Sequence, residues 1–368
     1  MAQTESVSQL ETDDMRANTI ADVVIAGGGI IGLSLGLELL QRRLSVTVLE
    51  RQQAMSSASW AAGGMLAVWD PQNPPELMPL AIRSEELYPA YLARIEELSG
   101  KAVPVRTRWA MQHVKEPRPS ATVVSDVELT QFAPGLRPGD QIFEWLQEGS
   151  VDPNDLREAL PQAFVAAGGV LLEHTEVQGI EANGAVRVRT STGHVSAAEF
   201  VNCCGSWAGE SVQGLEKLPV EPLKGQMANL RCSPDRLRCV VRAPGIYLIP
   251  RGDGRVTVGS TIERAAFDEN ASEAVVRRLA QAAQELLPEA EAPAQMDMWA
   301  GLRPGTPDWI PVLGPAEKQH CWYATGHYRD GILLAPVTAR VMAQAITGES
   351  PDVALEPYLP ARFAAVSR

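Results

Sequence analysis

Residues 22–50 read DVVIAGGGIIGLSLGLELLQRRLSVTVLE, and this stretch decides the fold. The apolar run at residues 23–26 is typical of a parallel strand that is buried on both faces. Gly27, Gly29 and Gly32 follow it with the spacing of a dinucleotide-binding turn. Such a turn lets the backbone approach a pyrophosphate and packs the next helix closely on the strand.

The rest of the stretch supplies the context that this motif requires. Leucines at helical spacing predict a helix that ends near Arg42 and Arg43, and residues 45–50 form a second strand. Glu50 ends that strand about 20 residues after the glycines, where an acid accepts hydrogen bonds from the adenosine ribose. This order favours a bound dinucleotide over a purely structural glycine turn. The acid argues against the 2′-phosphate of NADP, but it does not separate NAD from FAD.

Composition limits the class of protein. A chain of 368 residues is long for one hydrophobic core and predicts about two domains. The formal net charge of -13 opposes nucleic-acid binding. No run approaches about 18 consecutive apolar residues, and residues 1–20 lack the apolar core of a secretory signal, so we expect no membrane span and a flexible N-terminal tail. The five cysteines have no metal-ligand spacing and suit a reducing compartment, so we predict no metal site and a cytoplasmic location.

Changes in the secondary-structure pattern along the chain predict a domain that is assembled from separate pieces of the sequence. Helix and buried-strand patterns with glycine turns recur in three pieces, whereas the intervening pieces show mainly antiparallel strand patterns. We therefore assign a dinucleotide domain to residues 21–75, 150–215 and 299–368, and a substrate domain to residues 76–149 and 216–298. Expected elements include helices over 76–100, from the cap Asp152 with Pro153, and over 271–287, and strands over 103–114, 121–124 and 141–147.

Two further loops are rich in small residues. Residues 52–70 follow the second strand, and their Ser, Ala and Gly residues would let a flat or charged group lie against backbone amides. A flexible surface loop is the alternative. Gly205 ends another buried strand, where a cofactor contact and a plain strand-to-helix turn are equally consistent with the local sequence.

Two arginines near the C-terminus are candidate anion ligands. Arg303 lies between Leu302 and Pro304, and Arg329 lies within a glycine-flanked turn, so neither has the surroundings of a solvated surface residue. A guanidinium binds a carboxylate in a bidentate manner and stays charged at any relevant pH. Tyr247, on a strand with apolar neighbours, either packs in the core or presents its hydroxyl to a ligand.

At these residues the sequence resembles the FAD-dependent D-amino acid oxidase superfamily, and within it most closely the bacterial glycine oxidases of thiamine biosynthesis. The resemblance extends from Asp22 to Gly348. Its specific marks are the glycine turn, AAGGML at 61–66, YLIPR at 247–251, AGLRPGT at 300–306 and GHYRDGILLAP at 326–336. It implies a Rossmann-type, glutathione-reductase-like FAD-binding domain and a largely antiparallel α+β substrate domain.

The resemblance also implies roles for individual residues. The substrate carboxylate would be bound by Arg303 and Arg329, with help from Tyr247. FAD would be held noncovalently, since no cysteine stands near Arg303, by a set comprising Gly27, Gly29, Ile30, Ile31, Gly32, Glu50, Arg51, Ala58, Ser59, Gly63, Gly64, Met65, Val177, Gly205, His327, Tyr328, Arg329, Asp330, Gly331, Ile332 and Leu333. Asp330 stands where relatives often have Asn, and Gly245 where they have His.

The implied activity is oxidation of glycine, sarcosine or small D-amino acids to a 2-oxo acid, ammonia and hydrogen peroxide, with oxygen as electron acceptor. No side-chain acid or base is expected, because a hydride passes directly to the flavin once the substrate is oriented. The resemblance also implies a homotetramer. Three alternatives stay open, namely a D-amino acid oxidase or quinone-reducing dehydrogenase of broader specificity, a sarcosine oxidase with covalent flavin, and a non-enzymatic FAD-binding protein.

Overall fold

The computed structural model describes residues 21–182, 184–210 and 212–363. The predicted N-terminal tail lies outside them. The helices are Ile30–Gln41 (α1), Met78–Ser99 (α2), Asp126–Phe132 (α3), Pro153–Ala166 (α4), Glu273–Leu286 (α5) and Gly331–Ile346 (α6).

The strands are Ala21–Ala26 (β1), Val46–Leu49 (β2), Met65–Leu66 (β3), Ala110–Val114 (β4), Ile142–Leu146 (β5), Gly149–Ser150 (β6), Val170–Leu172 (β7), Val177–Ala182 (β8), Val186–Thr190 (β9), Gly193–Asn202 (β10), Glu221–Arg231 (β11), Val240–Ala243 (β12), Ile246–Pro250 (β13), Arg255–Gly259 (β14), Asp297–Gly305 (β15), Val312–Pro315 (β16) and Cys321–Thr325 (β17).

The first sheet has β1 near its centre, in the order β16-β17-β10-β1-β2-β7. β1 runs parallel to both neighbours, and Ala26 is in register with Asn202 of β10 and Leu49 of β2. The carboxyl ends of β1, β2 and β10 therefore meet at one edge. The glycine turn, Glu50 and the turn at Gly205 are brought together there, as expected for ligand binding in a parallel α/β sheet.

The second sheet has the order β15-β11-β14-β13-β12-β4-β5 and is antiparallel except where β12 runs beside β4. One face packs on α5, whose Val276, Ala280 and Ala283 are buried against Leu230 and Val258. The other face contributes residues to the cavity described below. This combination of a parallel Rossmann-type sheet and a largely antiparallel α+β part confirms the predicted fold class.

Helix α2 corrects the predicted domain boundary at residue 76. Its buried face, including Leu80 and Ile95, belongs to the same core as α1, α4 and α6. Tyr88 donates a hydrogen bond to the carbonyl of Ile332, and Ser84 donates one to the carbonyl of Leu333. The helix thus packs with the first sheet rather than the second. At the other boundary, β15 pairs with β11, so residues 299–305 belong to the second sheet.

The segment between α2 and β5 differs most from the predicted elements. Only residues 110–114 of the expected strand 103–114 form β4, and residues 121–124 make a single bridge at Val123. The short helix α3 was not predicted. Its capping box has a sequence signature, a serine at 125 followed by a glutamate at 128, and in the structure the two side chains bond each other's backbone N–H groups. No helix among the described residues is both long and apolar enough to cross a membrane.

Candidate active site

The glycine turn between β1 and α1 has no space for side chains at two positions. Gly27 has a φ of +105°, and a Cβ there would lie 2.4 Å from the carbonyl oxygen of Cys203. A Cβ on Gly32 would lie 2.0 Å from the carbonyl oxygen of Gly27. Glycine therefore lets α1 begin directly against β1 and β10. The first N–H groups of α1 form part of the cavity wall, which is a favourable place for a phosphate.

Glu50 is held in place by the backbone. One carboxylate oxygen accepts a hydrogen bond from the N–H of Gly28 at 2.7 Å, and the other accepts one from the N–H of Gln52 at 2.9 Å. The carboxylate thus lies beside the glycine turn, as the sequence predicts for an acid that binds the adenosine ribose.

Arg51 lies over the Trp207 ring, with its guanidinium carbon 3.7 Å from the ring centroid. Trp207 in turn stacks on Phe267, which comes from the antiparallel part of the chain. Arg51 and Trp207 both line the cavity next to Glu50, and together they form a flat wall at the adenosine end. Sequence reasoning named Arg51 but missed Trp207, because nothing local distinguishes a ring at a cavity from one in a core.

The small-residue loop after β2 is fixed from two sides. The Ser59 hydroxyl accepts a hydrogen bond from the N–H of Ile30, at the start of α1, at 2.9 Å. From the second sheet, the buried Arg251 donates to the carbonyls of Gly63 at 2.9 Å and Val151 at 3.0 Å. The loop is therefore an ordered wall rather than the flexible surface loop that the sequence left open. Arg251 was within a quoted motif, YLIPR, but had no role assigned.

One cavity of about 400 Å³ joins these features to the second sheet. The predicted cofactor residues that line it are Gly27, Gly29, Ile30, Ile31, Glu50, Arg51, Ala58, Ser59, Gly63, Gly64, Met65, Val177, Gly205, His327, Tyr328, Arg329, Asp330, Gly331 and Ile332, and the three predicted substrate residues line it too. Gly32 lies beneath the turn. Leu333 does not line the cavity with its side chain, which is buried in the core, and its contact with the cofactor stays a prediction.

Arg303 has no carboxylate partner among the described residues. Its guanidinium donates to the Ser260 hydroxyl at 2.6 Å and to the carbonyl of Thr261 at 3.1 Å. It lies above Gly225, where a Cβ would come within 2.1 Å of Nη1. Two neutral acceptors thus orient the guanidinium in the space that glycine leaves at position 225, and its positive charge can pair with an anionic ligand.

The positive charge of Arg329 is already paired with an acid. Its guanidinium forms an ion pair with Asp70 at 2.9 Å and donates to the side-chain carbonyl of Gln72 at 2.6 Å. Asp70 also lies 3.8 Å from Arg242, which in turn pairs with Glu148 at 2.6 Å. Arg329 therefore belongs to a network with matched charge, and its predicted contact with the substrate carboxylate stays a prediction.

Two titratable groups at the start of α6 are buried. Burial lowers the pKa of His327 to about 3, so this ring, bonded to the Thr338 hydroxyl, is neutral at any ordinary pH. Burial also raises the pKa of the Asp330 carboxyl to about 7, against the opposing effect of Arg329. The other charges that act on Asp330 are Asp70, Arg242 and Glu148.

Asp330→Asn tests the consequence of this raised pKa for stability. The folded protein binds the Asp330 proton more tightly than the unfolded chain does, so the free energy of unfolding falls as pH rises from about 4 to 7. Above pH 7 the buried carboxyl is ionised, and the whole cost of burying its charge lowers the free energy of unfolding. We expect the substitution to raise the free energy of unfolding by about 2–4 kcal/mol at pH 8, with a smaller gain at pH 5. Urea unfolding at both values measures it, and an equal gain at both would assign the effect to packing instead.

Tyr247 is half-buried in the cavity wall. Its hydroxyl lies 3.4 Å from the sulfur of Met227 and faces Gly259, where a Cβ would come within 2.9 Å of it. The ring therefore packs between the second sheet and the cavity. Its hydrogen bond to a substrate stays a prediction.

Comparison with known proteins gives the family. A family model described as FAD dependent oxidoreductase matches residues 22–345. The chain belongs to this family. The glycine turn, the start of α1 in the cavity wall and the carboxylate of Glu50 held by the backbone fit FAD, the cofactor of this family.

Individual members of the family show which proteins the chain resembles. It is 36% identical to a glycine oxidase of Pseudomonas aeruginosa over 92% of this chain and 98% of that protein. It is 37% identical to a bifunctional ThiO/ThiG protein of Synechocystis, covering 94% of this chain and 54% of that longer protein. The crystal structure of a glycine oxidase from Geobacillus kaustophilus superposes with a TM-score of 0.85, at 30% identity over 93% of this chain and 98% of that one.

Glu50→Ala tests the predicted ribose contact. A charge-assisted hydrogen bond contributes about 1.5–3 kcal/mol, so we expect FAD affinity to fall by roughly one to two orders of magnitude, with a smaller effect on turnover at saturating FAD. Titration of the apoprotein with FAD measures this. Glu50→Gln, which keeps one acceptor oxygen for the backbone N–H groups, separates the ribose contact from support of the turn. Unchanged FAD affinity in both variants contradicts the assignment.

Proposed function

We propose that this FAD-dependent oxidoreductase oxidises glycine to glyoxylate, ammonia and hydrogen peroxide, and that it also oxidises sarcosine and small D-amino acids to a 2-oxo acid, hydrogen peroxide and the corresponding amine or ammonia. The observation that supports this most directly is Arg303, a guanidinium in the FAD cavity with no carboxylate partner among the described residues. A partly buried cation without a counterion favours an anionic ligand. Glycine oxidases among the relatives of this chain support an amino acid carboxylate as that ligand.

The residues of the chain orient the substrate rather than exchange protons with it. Arg303 would bind the carboxylate with its fork of donors, while Tyr247 closes one side of the cavity. This fixes the α-carbon and its amine relative to the loop of small residues, and positioning of this kind can account for much of the lowering of a reaction barrier. When bound, FAD supplies the two-electron acceptor, and oxygen regenerates it with release of peroxide.

An oxygen electrode tests the proposal. We expect oxygen uptake and stoichiometric peroxide with glycine, sarcosine, D-alanine and D-proline, and none with L-alanine. Reduction of a quinone analogue without oxygen uptake would identify a dehydrogenase instead. The absence of flavin reduction by every amine under anaerobic conditions would refute both.

A D-amino acid oxidase of broader specificity is the second candidate. Gly245 lines the cavity, and a Cβ at this position would have no atom within 4 Å. The wall therefore leaves space for substrates larger than glycine. A role in thiamine biosynthesis, noncovalent FAD, a homotetramer and a cytoplasmic location remain predictions from the family resemblance.

A further inference from the structure

Arg242 occupies the same face of the second sheet as Tyr247. The two residues are paired in register across β12 and β13, and Tyr247 is paired with Gly259 of β14. Residues paired in this way project from one face. Arg242, Tyr247 and Gly259 accordingly all line the cavity.

The guanidinium of Arg242 lacks acceptors for most of its donors. The residue is 7% exposed, and its one hydrogen bond among the described residues goes from Nη2 to Glu148 at 2.6 Å. Nε and Nη1 are buried and have no hydrogen-bond partner there, since Asp70 is 3.8 Å from Nη1. Buried donors are rarely left unsatisfied. Arg242 lines the cavity, so a small rotation of its side chain would bring these two donors to an acceptor on a ligand.

The charge around Arg242 decides what kind of acceptor fits. Glu148 already balances the guanidinium, and Asp70 lies close to it. Arg329 balances Asp70, so the charges around Arg242 are already matched and a second carboxylate would add an unbalanced negative charge. An amide carbonyl or hydroxyl oxygen would satisfy the donors without adding charge. Arg303 differs in this respect, since it has no acidic partner among the described residues.

The positions of the two arginines allow one substrate to reach both. The Arg303 guanidinium lies over Gly225 of β11, three strands from β12, or about 14 Å between strand axes at 4.8 Å per strand. Both residues line the same cavity, and a substrate held by both would require the two long side chains to lean toward each other. Gly245, in the turn between β12 and β13, leaves the space beside Arg242 open. Glycine itself would leave Arg242 unengaged.

We propose that Arg242 is a specificity-determining residue that binds an uncharged oxygen acceptor on the substrate side chain. Among substrates larger than glycine, the preferred ones are then D-amino acids with a short amide or hydroxyl side chain, such as D-asparagine. The inference deepens the proposed function by naming its substrate class. A site built around unpaired donors strongly rejects an analogue that lacks the acceptor.

Turnover of three near-isosteric D-amino acids tests the proposal. We expect kcat/KM for D-asparagine to exceed that for D-leucine and for D-aspartate by tenfold or more. A preference for D-leucine would show that Arg242 is only hydrated, and a preference for D-aspartate would show that the subsite selects anions. Either result overturns the proposal.

Substitutions assign the preference to Arg242. Removing the arginine alone would leave Glu148 buried without its partner, so Arg242→Met is combined with Glu148→Gln, whose amide oxygen can still accept from the N–H of Trp69. We expect this pair to reverse the order of D-asparagine and D-leucine. Glu148→Gln alone should keep the preference for D-asparagine over D-leucine and improve D-aspartate. Arg277→Gln, at an exposed site on α5, is the control that should keep the wild-type order.

Binding of unreactive carboxylates separates this proposal from the proposed function. Succinamate, succinate and isocaproate match in size and differ in an amide, a carboxylate and an isopropyl end. Each acid is titrated into the holoprotein while the flavin absorbance is followed. We expect succinamate to have the lowest Kd by tenfold or more, and we expect this order to be lost in the paired variant. The result stands even if none of the amines is oxidised, whereas equal affinities for all three would overturn the role of Arg242.

Discussion

Arg303→Ala is expected to lower kcat/KM for glycine by roughly 30- to 4,000-fold. Truncating one member of a buried charge pair costs about 2–5 kcal/mol, and each 1.4 kcal/mol corresponds to a factor of ten. The structure gives the reason, because the guanidinium is oriented by Ser260 and Thr261 but has no acidic partner among the described residues. The carboxylate of the substrate would complete the pair.

The deciding measurement compares glycine with methylamine, which lacks the carboxylate. We expect Arg303→Ala to erase the preference for glycine and leave the flavin spectrum nearly unchanged. Arg303→Lys keeps the charge but not the fork, so it should restore only part of the preference. Arg329→Ala is the matched comparison. If that variant loses the preference while Arg303→Ala keeps it, the anchor is Arg329.

Gly32→Ala is expected to weaken FAD binding strongly. The new methyl carbon would lie 2.0 Å from the carbonyl oxygen of Gly27, and a backbone atom in the middle of the turn cannot move aside as a side chain can. Relieving the clash must displace either the turn or the start of α1, at a cost of about 1–3 kcal/mol or more. Both elements form the phosphate end of the cavity, so FAD affinity should fall by at least tenfold to a hundredfold.

FAD content after purification and titration of the apoprotein measure this effect. Gly331→Ala is a suitable control for the fold, because the nearest atom to its Cβ is 3.7 Å away and alanine favours a helix over glycine. That variant should keep or raise the unfolding temperature of the apoprotein. A Gly32→Ala protein that is purified with a full complement of FAD would contradict the prediction.

The cofactor end of the site could be predicted from sequence because its signals are local. Gly27 has a positive φ, which is a local reason for glycine at the turn, and Glu50 follows at a spacing set by one helix and one strand. Helix α3 also has a local signal, the capping box at Ser125, in the segment between the predicted strands 121–124 and 141–147. These features depend on short-range rules that the sequence displays directly.

The rest depends on packing between distant segments. Helix α2 was assigned to the wrong half because its apolar stripe does not reveal its partner, which is α6 near the far end of the chain. Arg242, like Arg303, lies between two apolar residues in the sequence. Its role in the cavity follows from the register of β12 against β13 and from the position of Glu148, neither of which the flanks disclose.

Arg251 has a consequence for the order in which the protein assembles. Through one guanidinium it joins a strand of the second sheet to Gly63, at a sequence separation of 188 residues, and to Val151, at a separation of 100. Contacts between residues so far apart in sequence form late, because a long loop must close first. The loop of small residues therefore reaches its final shape only after both sheets have formed and docked. Acquisition of yellow colour should accordingly mark the last stage of folding, and a fragment containing the parallel sheet alone should remain colourless.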